Sequence, residues 1–533
     1  MIYLLHQSID HLAARDPDKA AFCIPGQSLS YGEMAASTNQ LAHLLAEHGV
    51  ERGDRVGIFT PRGLESAIAV YGILKAGAAF VPIDPQLPST ALARLVDDCG
   101  IRVLVTHNAQ KQVINAYAAE HTALDLVVGL DSAVNGIATL SWSQLDQFPA
   151  AAAPSVRATE GDLAYIMYSS GSTGTPKGIM HTHRSGLAYA RLSADVYGIS
   201  GDDRIANHSP LHFDMSTLGY FTAMYAGATT VMIPEAYTKI AASLAQLLEA
   251  QGVTIWYSVP LALIQLLQRG LIETRDLSRI RWVLFGGEPF PVKHLQELMR
   301  RWPQARFSNV YGPAEVNQCT YYHIPRDSDG EPQIDTDQPV PLGAVWQNTE
   351  GLILAPDDTP VVPGAEGELV ICSPTMMHGY WGRPELNAHA FYRQPLYEGF
   401  DKVYYRTGDL VRTREDGELL FLGRMDRQVK VRGYRIELDD IEHALTLHPG
   451  VEEAAVYPVK ADGGVNHIEA SVLARGGGSL EPEALKAHLA QRISAYAVPG
   501  RIWVRKEFPR TTSGKIDRRA LQAAAENPTT VGT

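Results

Sequence analysis

Residues 55–83 carry the pattern that most restricts how this chain can fold. RVGIFT (55–60) and AAFVPI (78–83) are β-rich apolar runs, and the amphipathic helical segment GLESAIAVYGILKAG (63–77) lies between them. Strands separated by helices pair in parallel, because only a crossover returns the chain in the same direction. RVLVT, LAYIMYSS, TTVMIP, TIWYSV and RWVLFGG continue the alternation to about residue 330. Beyond it, GLILAP, GELVICS and GELLFLG are close-spaced runs with Gly and Pro turns, the texture of a smaller antiparallel barrel or sheet. After GRMDRQVKVRGYRIELDDIEHAL (423–445) the chain alternates strands and helices on its own. The expected fold class is α/β. A large N-terminal domain (1–425) of layered α/β sheets carries a small β-barrel-like subdomain, and a small α+β domain (426–533) follows.

A chain of 533 residues exceeds one hydrophobic core, which agrees with that division. Its net charge of −13 argues against a nucleic-acid partner or an anionic membrane surface, though not against a small anion in one basic pocket. The start, MIYLLHQSIDHLAARDPDKAAF, has no charged n-region and reads as an amphipathic helix, not a signal peptide. No window approaches the roughly 18 apolar residues of a membrane span. Cys23, Cys99, Cys319 and Cys372 are far apart and fit a reducing cytoplasm.

The stretch Ser-Gly-Ser-Thr-Gly-Thr-Pro-Lys-Gly (170–178) follows the β-rich LAYIMYSS and precedes HTHRSGLAYARLSADVYG, which has helical periodicity. Strand, glycine loop and helix N-terminus together predict an anion site, where backbone N–H groups and the helix dipole converge. A Walker loop would end in Gly-Lys-Ser/Thr, whereas Lys177 here lies between Pro176 and Gly178. His181 and His183 are two apart with no further ligands in zinc spacing, so they are expected to serve polar packing.

The order of that loop resembles the phosphate loop of the adenylate-forming superfamily, which includes acyl-CoA synthetases, luciferases and the adenylation domains of nonribosomal peptide synthesis. LSYGEM (29–34), LKAGAAFVPID (74–84), NVYGPAE (309–315), GELVI (367–371), YRTGDL (405–410), GRMDRQVKVRGYRIEL (423–438) and TSGKIDR (512–518) are similar to the successive core motifs of those adenylation domains. The resemblance implies attack of a carboxylate on the α-phosphorus of ATP, with Mg²⁺, giving an acyl-adenylate and pyrophosphate. It places Ser169, Ser170, Gly171, Ser172, Thr173, Gly174 and Lys177 on the phosphates, with Thr173 also catalytic. Glu315 would hold Mg²⁺, the alternative being a helix-start glutamate. Tyr311 would stack on adenine and Asn309 reach its amino group, beside Gly287, Glu288 and Gly312. Asp409 would take both ribose hydroxyls, with Arg424 and Lys430 nearby. Phe421 stands where the pattern often has Tyr, which keeps stacking but loses a phenol. Lys515 would be the catalytic lysine, bridging carboxylate and phosphate as charge develops. Asp426 matches a hinge about which the small domain swings before thioester formation.

The same resemblance places Asp214, in LHFDMSTLGYFTAMYAGA (211–228), against the substrate's α-ammonium, with Phe213 as an aromatic gate. A buried carboxylate asks for a cation; the alternative is a helix cap. The side-chain pocket would be lined by Asp214, Met215, Leu218, Tyr257, Leu284, Gly286, Val310, Gln318 and Cys319. It contains no second charge, and so favours a small neutral amino or imino acid. Leu218, Tyr257, Leu284 and Cys319 are similar to the pocket of free-standing L-prolyl ligases. Gly286 and Gln318 depart from it, leaving room and a hydrogen-bonding group that proline does not need, so a ring-modified proline or another small neutral amino acid stays open. Cys319 is expected to be a pocket wall and not a nucleophile.

The sequence stops shortly after TSGKIDR, so the thiol acceptor is expected in trans, as a separate phosphopantetheinylated carrier protein. A small MbtH-like helper is a further partner the resemblance allows. Two other readings stay open at this point: an acyl-CoA synthetase, in which Asp214 would be structural, and a non-catalytic adenylate or ATP sensor, which would not need Lys515.

Overall fold

The computed structural model describes residues 1–169, 176–335, 338–431, 433–460, 466–511 and 516–526. The chain forms two compact units. One comprises Met1–Pro85, Val96–Tyr168 and Gly178–Met425; the other comprises Gln86–Leu95, Ser169–Lys177 and Asp426–Thr533.

Among the described residues, the first unit is built on three sheets. The eight-stranded sheet runs in the order Ala138–Leu140, Leu126–Val128, Val103–Thr106, Arg55–Phe59, Ala79–Pro82, β1 (Leu163–Ser169), β2 (Lys177–Thr182) and Gly379–Tyr380. Its pairs are parallel as far as β1, and its strands are buried along most of their length, which is why they read as continuous apolar runs. The nine-stranded sheet runs Gln27–Ser30, Ala20–Ile24, Thr229–Met232, Arg204–Asn207, β3 (Ile255–Ser258), β4 (Trp282–Gly286), β5 (Arg306–Tyr311), β6 (Thr320–His323) and Ala344–Val345. The third, antiparallel sheet is organised by one long strand, β7 (Phe400–Thr413), which pairs with Glu366–Cys372, with Phe391–Tyr397 and with β8 (Leu419–Arg424).

The helix Leu64–Lys75 is expected to be amphipathic, but it is buried around its whole circumference, Glu65 alone being partly exposed. It touches Ala20–Ile24 of one sheet and Arg55–Phe59 and Ala79–Pro82 of the other, so both of its faces meet apolar surface. Lys75, 2% exposed, is kept by bonds to Asp10 (2.6 Å) and to Asn39 (2.7 Å). Burial lowers its pKa, and Asp10 opposes that shift. The N-terminal helix is short, Gln7–Ala13, and gives way to the strand Ala20–Ile24. No helix among the described residues is long and apolar enough to cross a membrane.

The second unit has a two-stranded hairpin (Gln428–Val431 with Tyr434–Glu437) and a three-stranded sheet (Val451–Lys460, Asn466–Ala474, Arg501–Arg505). Helices Leu438–Thr446, Pro482–Ala490 and Arg518–Glu526 complete it. Glu442 ties it together. Burial would raise its carboxyl, but hydrogen bonds from Arg518 and Arg427 outweigh that and hold its pKa below the usual range.

Five histidines of the first unit are held neutral by burial. His181, His212 and His323 are lowered to about 4, and His183 and His208 to about 3. Unfolding returns each to an ordinary value near 6.5, so the unfolded chain binds more protons below that pH. The stability these groups contribute is complete above about pH 6.5 and lost as the pH falls toward about 4, at up to ~1.4 kcal/mol per unit for each group. Urea midpoints read by tryptophan fluorescence are expected to be level from pH 7 to 8 and to fall steeply from pH 6.5 to 4.5. Equal midpoints at pH 7 and pH 5 would contradict this account.

Candidate active site

Strand β5 sorts the site by its period of two. Ser308 and Val310 point to one face of the sheet, and Asn309 and Tyr311 to the other. In register beside β5, Leu284 of β4 stands by Ser308 and Gly286 by Val310, while Tyr257 of β3 stands by Leu284. Tyr257, Leu284 and Val310 therefore share one face. The approach is close: a Cβ at Gly286 would lie 2.2 Å from the Val310 carbonyl oxygen. Glycine is therefore required at 286 by the backbone packing itself. It lets two backbones meet.

On the other face, Asn309 donates from Nδ2 to the Pro341 carbonyl (2.7 Å), which leaves its carbonyl oxygen as the acceptor that an amino group would need. The Tyr311 hydroxyl donates to Oδ2 of Asp409 on β7. Burial, with Asp409 beside it, raises this phenol far above its ordinary pKa, so it stays a donor. Arg424, paired in register with Asp409 across β7 and β8, donates to Oδ1 (2.8 Å). Asp409 is 4% exposed, and each oxygen keeps a second lone pair for a ligand hydroxyl. Phe421 lies half-buried on β8.

Between β5 and β6 the chain makes a tight loop. A Cβ at Gly312 would lie 2.1 Å from the Asn317 carbonyl oxygen, so no larger residue fits there. The loop buries Glu315 completely. Its Oε1 accepts from the Tyr380 hydroxyl (2.8 Å), and its carbonyl accepts from Met377 N–H (2.7 Å). His181 Nε2 bonds the neighbouring Ala314 carbonyl (2.9 Å), and its ring stacks on Tyr165 at 4.7 Å. Among the described residues no cluster of three His, Cys, Asp or Glu forms a ready metal cage. One fixed carboxylate is the kind of site that holds Mg²⁺ together with substrate phosphates.

Asp214 begins a 3₁₀ turn (Asp214–Ser216) that runs into a π-helical turn (Leu218–Thr222), a local form frequent at functional sites. Its Oδ1 accepts from the N–H of Met215 (2.9 Å). Burial raises the phenols of Tyr165, Tyr189 and Tyr257, and the Asp214 charge adds to each shift. Phe213 and Met215 are half-buried, and the Phe213 ring lies 4.6 Å from that of His212. Leu218, Gln318 and Cys319 are buried, and the Cys319 thiol is directed at the Tyr311 carbonyl (3.7 Å). The four cysteines form no disulfide.

Ser170, Gly171, Ser172, Thr173, Gly174 and Lys515 lie outside the described residues. The helix N-terminus expected to share an anion site with the loop is separated from it by a strand. Residues 177–182, rich in β-formers, continue as β2, a neighbour of β1 in the sheet, and the helix His183–Tyr197 starts only afterwards. Its first amides are already used: His183 N–H bonds the Asp162 carbonyl and Arg184 N–H the Glu160 carbonyl. The Ser169 hydroxyl is buried without a partner, and Lys177 Nζ is 3.9 Å from Glu437. Gly287 and Glu288 follow β4 directly. Lys430 lies on the hairpin of the second unit opposite Arg435, and exposed Asp426 accepts from Gln428 N–H (3.1 Å).

Comparison with known proteins gives the family. The AMP-binding enzyme family matches residues 9–381, and the AMP-binding enzyme C-terminal domain matches residues 440–515. The chain belongs to the AMP-binding enzymes. It is similar to an L-proline–[L-prolyl-carrier protein] ligase of Pseudomonas fluorescens, 33% identical over 98% of this chain and 99% of that one. A ligase of the same description from Streptomyces coelicolor is 34% identical over 96% of this chain and 94% of that one. The chain also matches gramicidin and tyrocidine synthases, of whose length it spans between 6% and 14%. An amide bond synthetase of Marinactinospora thermotolerans has the same fold, with a TM-score of 0.85 over 98% of this chain and 99% of that one at 23% identity.

Two residues of this AMP-binding enzyme escape a reading of its sequence. Tyr380 and Tyr189 stand 65 residues after Glu315 and 25 before Asp214, and only the fold brings them close. Asp409→Asn is expected to weaken AMP binding at least about tenfold, since Arg424 and a ligand hydroxyl both lose their charged acceptor. Tyr311→Phe removes one supporting bond and should cost only a few-fold. Titration calorimetry with AMP measures both, and the order of the two losses is the decisive readout.

Proposed function

We propose that this enzyme activates a small neutral amino or imino acid of about the size of L-proline with ATP, then passes it to the phosphopantetheine thiol of a separate carrier protein. The observation that carries the reading is the division of β5. Asn309 and Tyr311, the latter bonded to Asp409, lie on one face and would take the nucleotide; Tyr257, on the face opposite and within reach of the Asp214 charge, would take the amino acid, and the loop bearing Glu315 leaves the same strand. The names of the full-length relatives support a prolyl substrate and a carrier-protein acceptor.

In the first step a carboxylate oxygen forms a bond to the α-phosphorus as the bond to the pyrophosphate oxygen breaks. The work left to the protein is positioning and charge neutralisation. Asp214 would pair with the α-ammonium, and Asp409 would fix the ribose with Tyr311 along the base. Glu315 would hold Mg²⁺, which neutralises phosphate charge when bound. Tyr380 keeps the Glu315 carboxylate oriented. By resemblance, Thr173 and Lys177 would contact the phosphates and Lys515 the developing charge. In the second step the thiol sulfur bonds the acyl carbon as AMP leaves.

Amino-acid-dependent ATP–pyrophosphate exchange tests the reading, with L-proline, pipecolate, 4-hydroxyproline, the neutral proteinogenic amino acids, acetate and benzoate. Exchange confined to amino or imino acids is expected. Exchange with acetate or benzoate alone would contradict the role of Asp214 and favour an acyl-CoA synthetase. The same assay on the purified chain alone shows whether a helper protein is needed. Tyr380→Phe, by removing a hydrogen bond to a charged acceptor, should lower the exchange rate about ten- to a hundredfold and raise the Mg²⁺ concentration needed for half-maximal rate.

A further inference from the structure

Residues 169–177, SSGSTGTPK, run from the end of β1 to the start of β2 and include the groups proposed to contact the ATP phosphates. Two glycines, five hydroxyl residues, a proline and a lysine offer little side chain with which such a segment could hold itself against a core. Its aim has to be set at its two ends, Tyr168 and Gly178.

Both ends meet the same small group of residues. A Cβ at Gly178 would lie 3.1 Å from Cζ of Tyr168 and 3.2 Å from Cβ of Trp381, so both side chains close on that one backbone position. The Gly178 carbonyl accepts from Trp381 N–H (2.7 Å). The Tyr168 hydroxyl donates to Oδ2 of Asp98 (2.7 Å), and Oδ1 of Asp98 takes the Arg383 guanidinium. The Asp98 carbonyl accepts from the Trp381 indole N–H (3.1 Å), and the Arg55 guanidinium lies over the indole, 4.9 Å from its centre. Burial raises the Tyr168 phenol far above its ordinary pKa, with Cys99 and Asp98 adding to the shift, so it stays a donor.

Distant parts of the chain supply this clasp. Asp98 lies in the last turn of the helix Ser89–Cys99, 70 residues before Tyr168. Trp381 and Arg383 follow the edge strand Gly379–Tyr380, which pairs antiparallel with Ile179 and Met180 of β2. Main-chain bonds would hold that edge strand by themselves. The carboxylate, phenol, indole and guanidinium add directional, charge-assisted bonds at the one place where β1 gives way to the glycine loop. The same stretch, 377–383, also holds Glu315, through Met377 N–H and the Tyr380 hydroxyl.

We propose that Asp98, Trp381 and Arg383 are positioning residues that act through Tyr168 and Gly178 to aim the segment taking the β- and γ-phosphates of ATP. This inference rests on the adenylation proposed above. Asn309, Tyr311 and Asp409 are held by Pro341, by each other and by Arg424, so the adenosine end does not depend on the clasp. The clasp therefore divides one ligand in two: ATP needs it, and AMP, which lacks those phosphates, does not.

Titration calorimetry with AMP and with MgATP, without amino acid, tests the proposal. Asp98→Asn removes the charge that Arg383 pairs with, and is expected to weaken MgATP binding about tenfold while AMP binding stays within about twofold. Tyr168→Phe keeps the ring beside Gly178 but removes its bond to Asp98, and should cause a smaller loss of the same kind, about threefold. In pyrophosphate exchange both variants should raise the KM for ATP and leave that for the amino acid within about twofold. A thermal melt checks folding, and if Asp98→Asn does not fold, Tyr168→Phe and Trp381→Phe carry the test. Equal losses for AMP and MgATP would reduce the clasp to ordinary packing and overturn the proposal, as would unchanged MgATP binding in folded variants. A wild-type chain that binds neither nucleotide would overturn the adenylation reading instead.

Discussion

The pairing of β4 with β5 is the constraint on which the site depends. At Gly286 and Val310 the two strands meet so closely that no side chain fits between them. That contact fixes the register, and the register fixes the faces. A slip of one residue would move Tyr311 to the face of Tyr257, and Val310 to the face of Asp409. The faces proposed for nucleotide and amino acid would then be mixed.

Around that frame the charged groups are prepared in advance. Asp409 has Arg424 and Tyr311 as partners, and Glu315 has Tyr380. Removing a carboxylate from water is costly unless hydrogen bonds replace hydration. These partners supply such bonds while leaving lone pairs for a ligand. Such a site reorganises little when a ligand arrives, the condition under which electrostatic stabilisation is largest. Gln318 is the opposite case, a buried amide whose neighbour is the neutral Tyr257 phenol.

Much of this was legible in the sequence, for physical reasons. Apolar runs separated by helical segments specify parallel sheets, and RVGIFT, RVLVT and RWVLFGG became the expected strands. NVYGPAE and YRTGDL were readable as a pair, yet the bond from Tyr311 to Asp409 spans 98 residues and needed the fold. Two errors came from local pattern. Glu65 and Lys75 made Leu64–Lys75 look amphipathic, although a second sheet covers the face that such charges usually leave to water. The glycine loop was read as an anion site shared with the N-terminus of the helix that follows, but residues 177–182 form a strand and the first helix amides go to protein carbonyls. Tyr380 left no local signal, because its role exists only through Glu315, 65 residues away.

The same geometry makes the pocket residues unequal. Leu284 and Val310 sit on strands whose backbone is fixed by neighbours on both sides, so changing their side chains alters the amino-acid face and leaves Asn309 and Tyr311 where they are. Gln318 is different. It lies three residues from Glu315, in a loop closed by the contact of Gly312 with the Asn317 carbonyl and carrying Asn317 at a positive φ of 57°. Asn317 in turn bonds the Thr217 hydroxyl (3.1 Å), three residues from Asp214. A bulky or charged side chain at Gln318 would strain the segment that orients Glu315, the carboxylate proposed to hold Mg²⁺. Specificity can therefore drift on the strands with little effect on rate. A change at Gln318, by contrast, reaches the Glu315 carboxylate through the loop the two residues share.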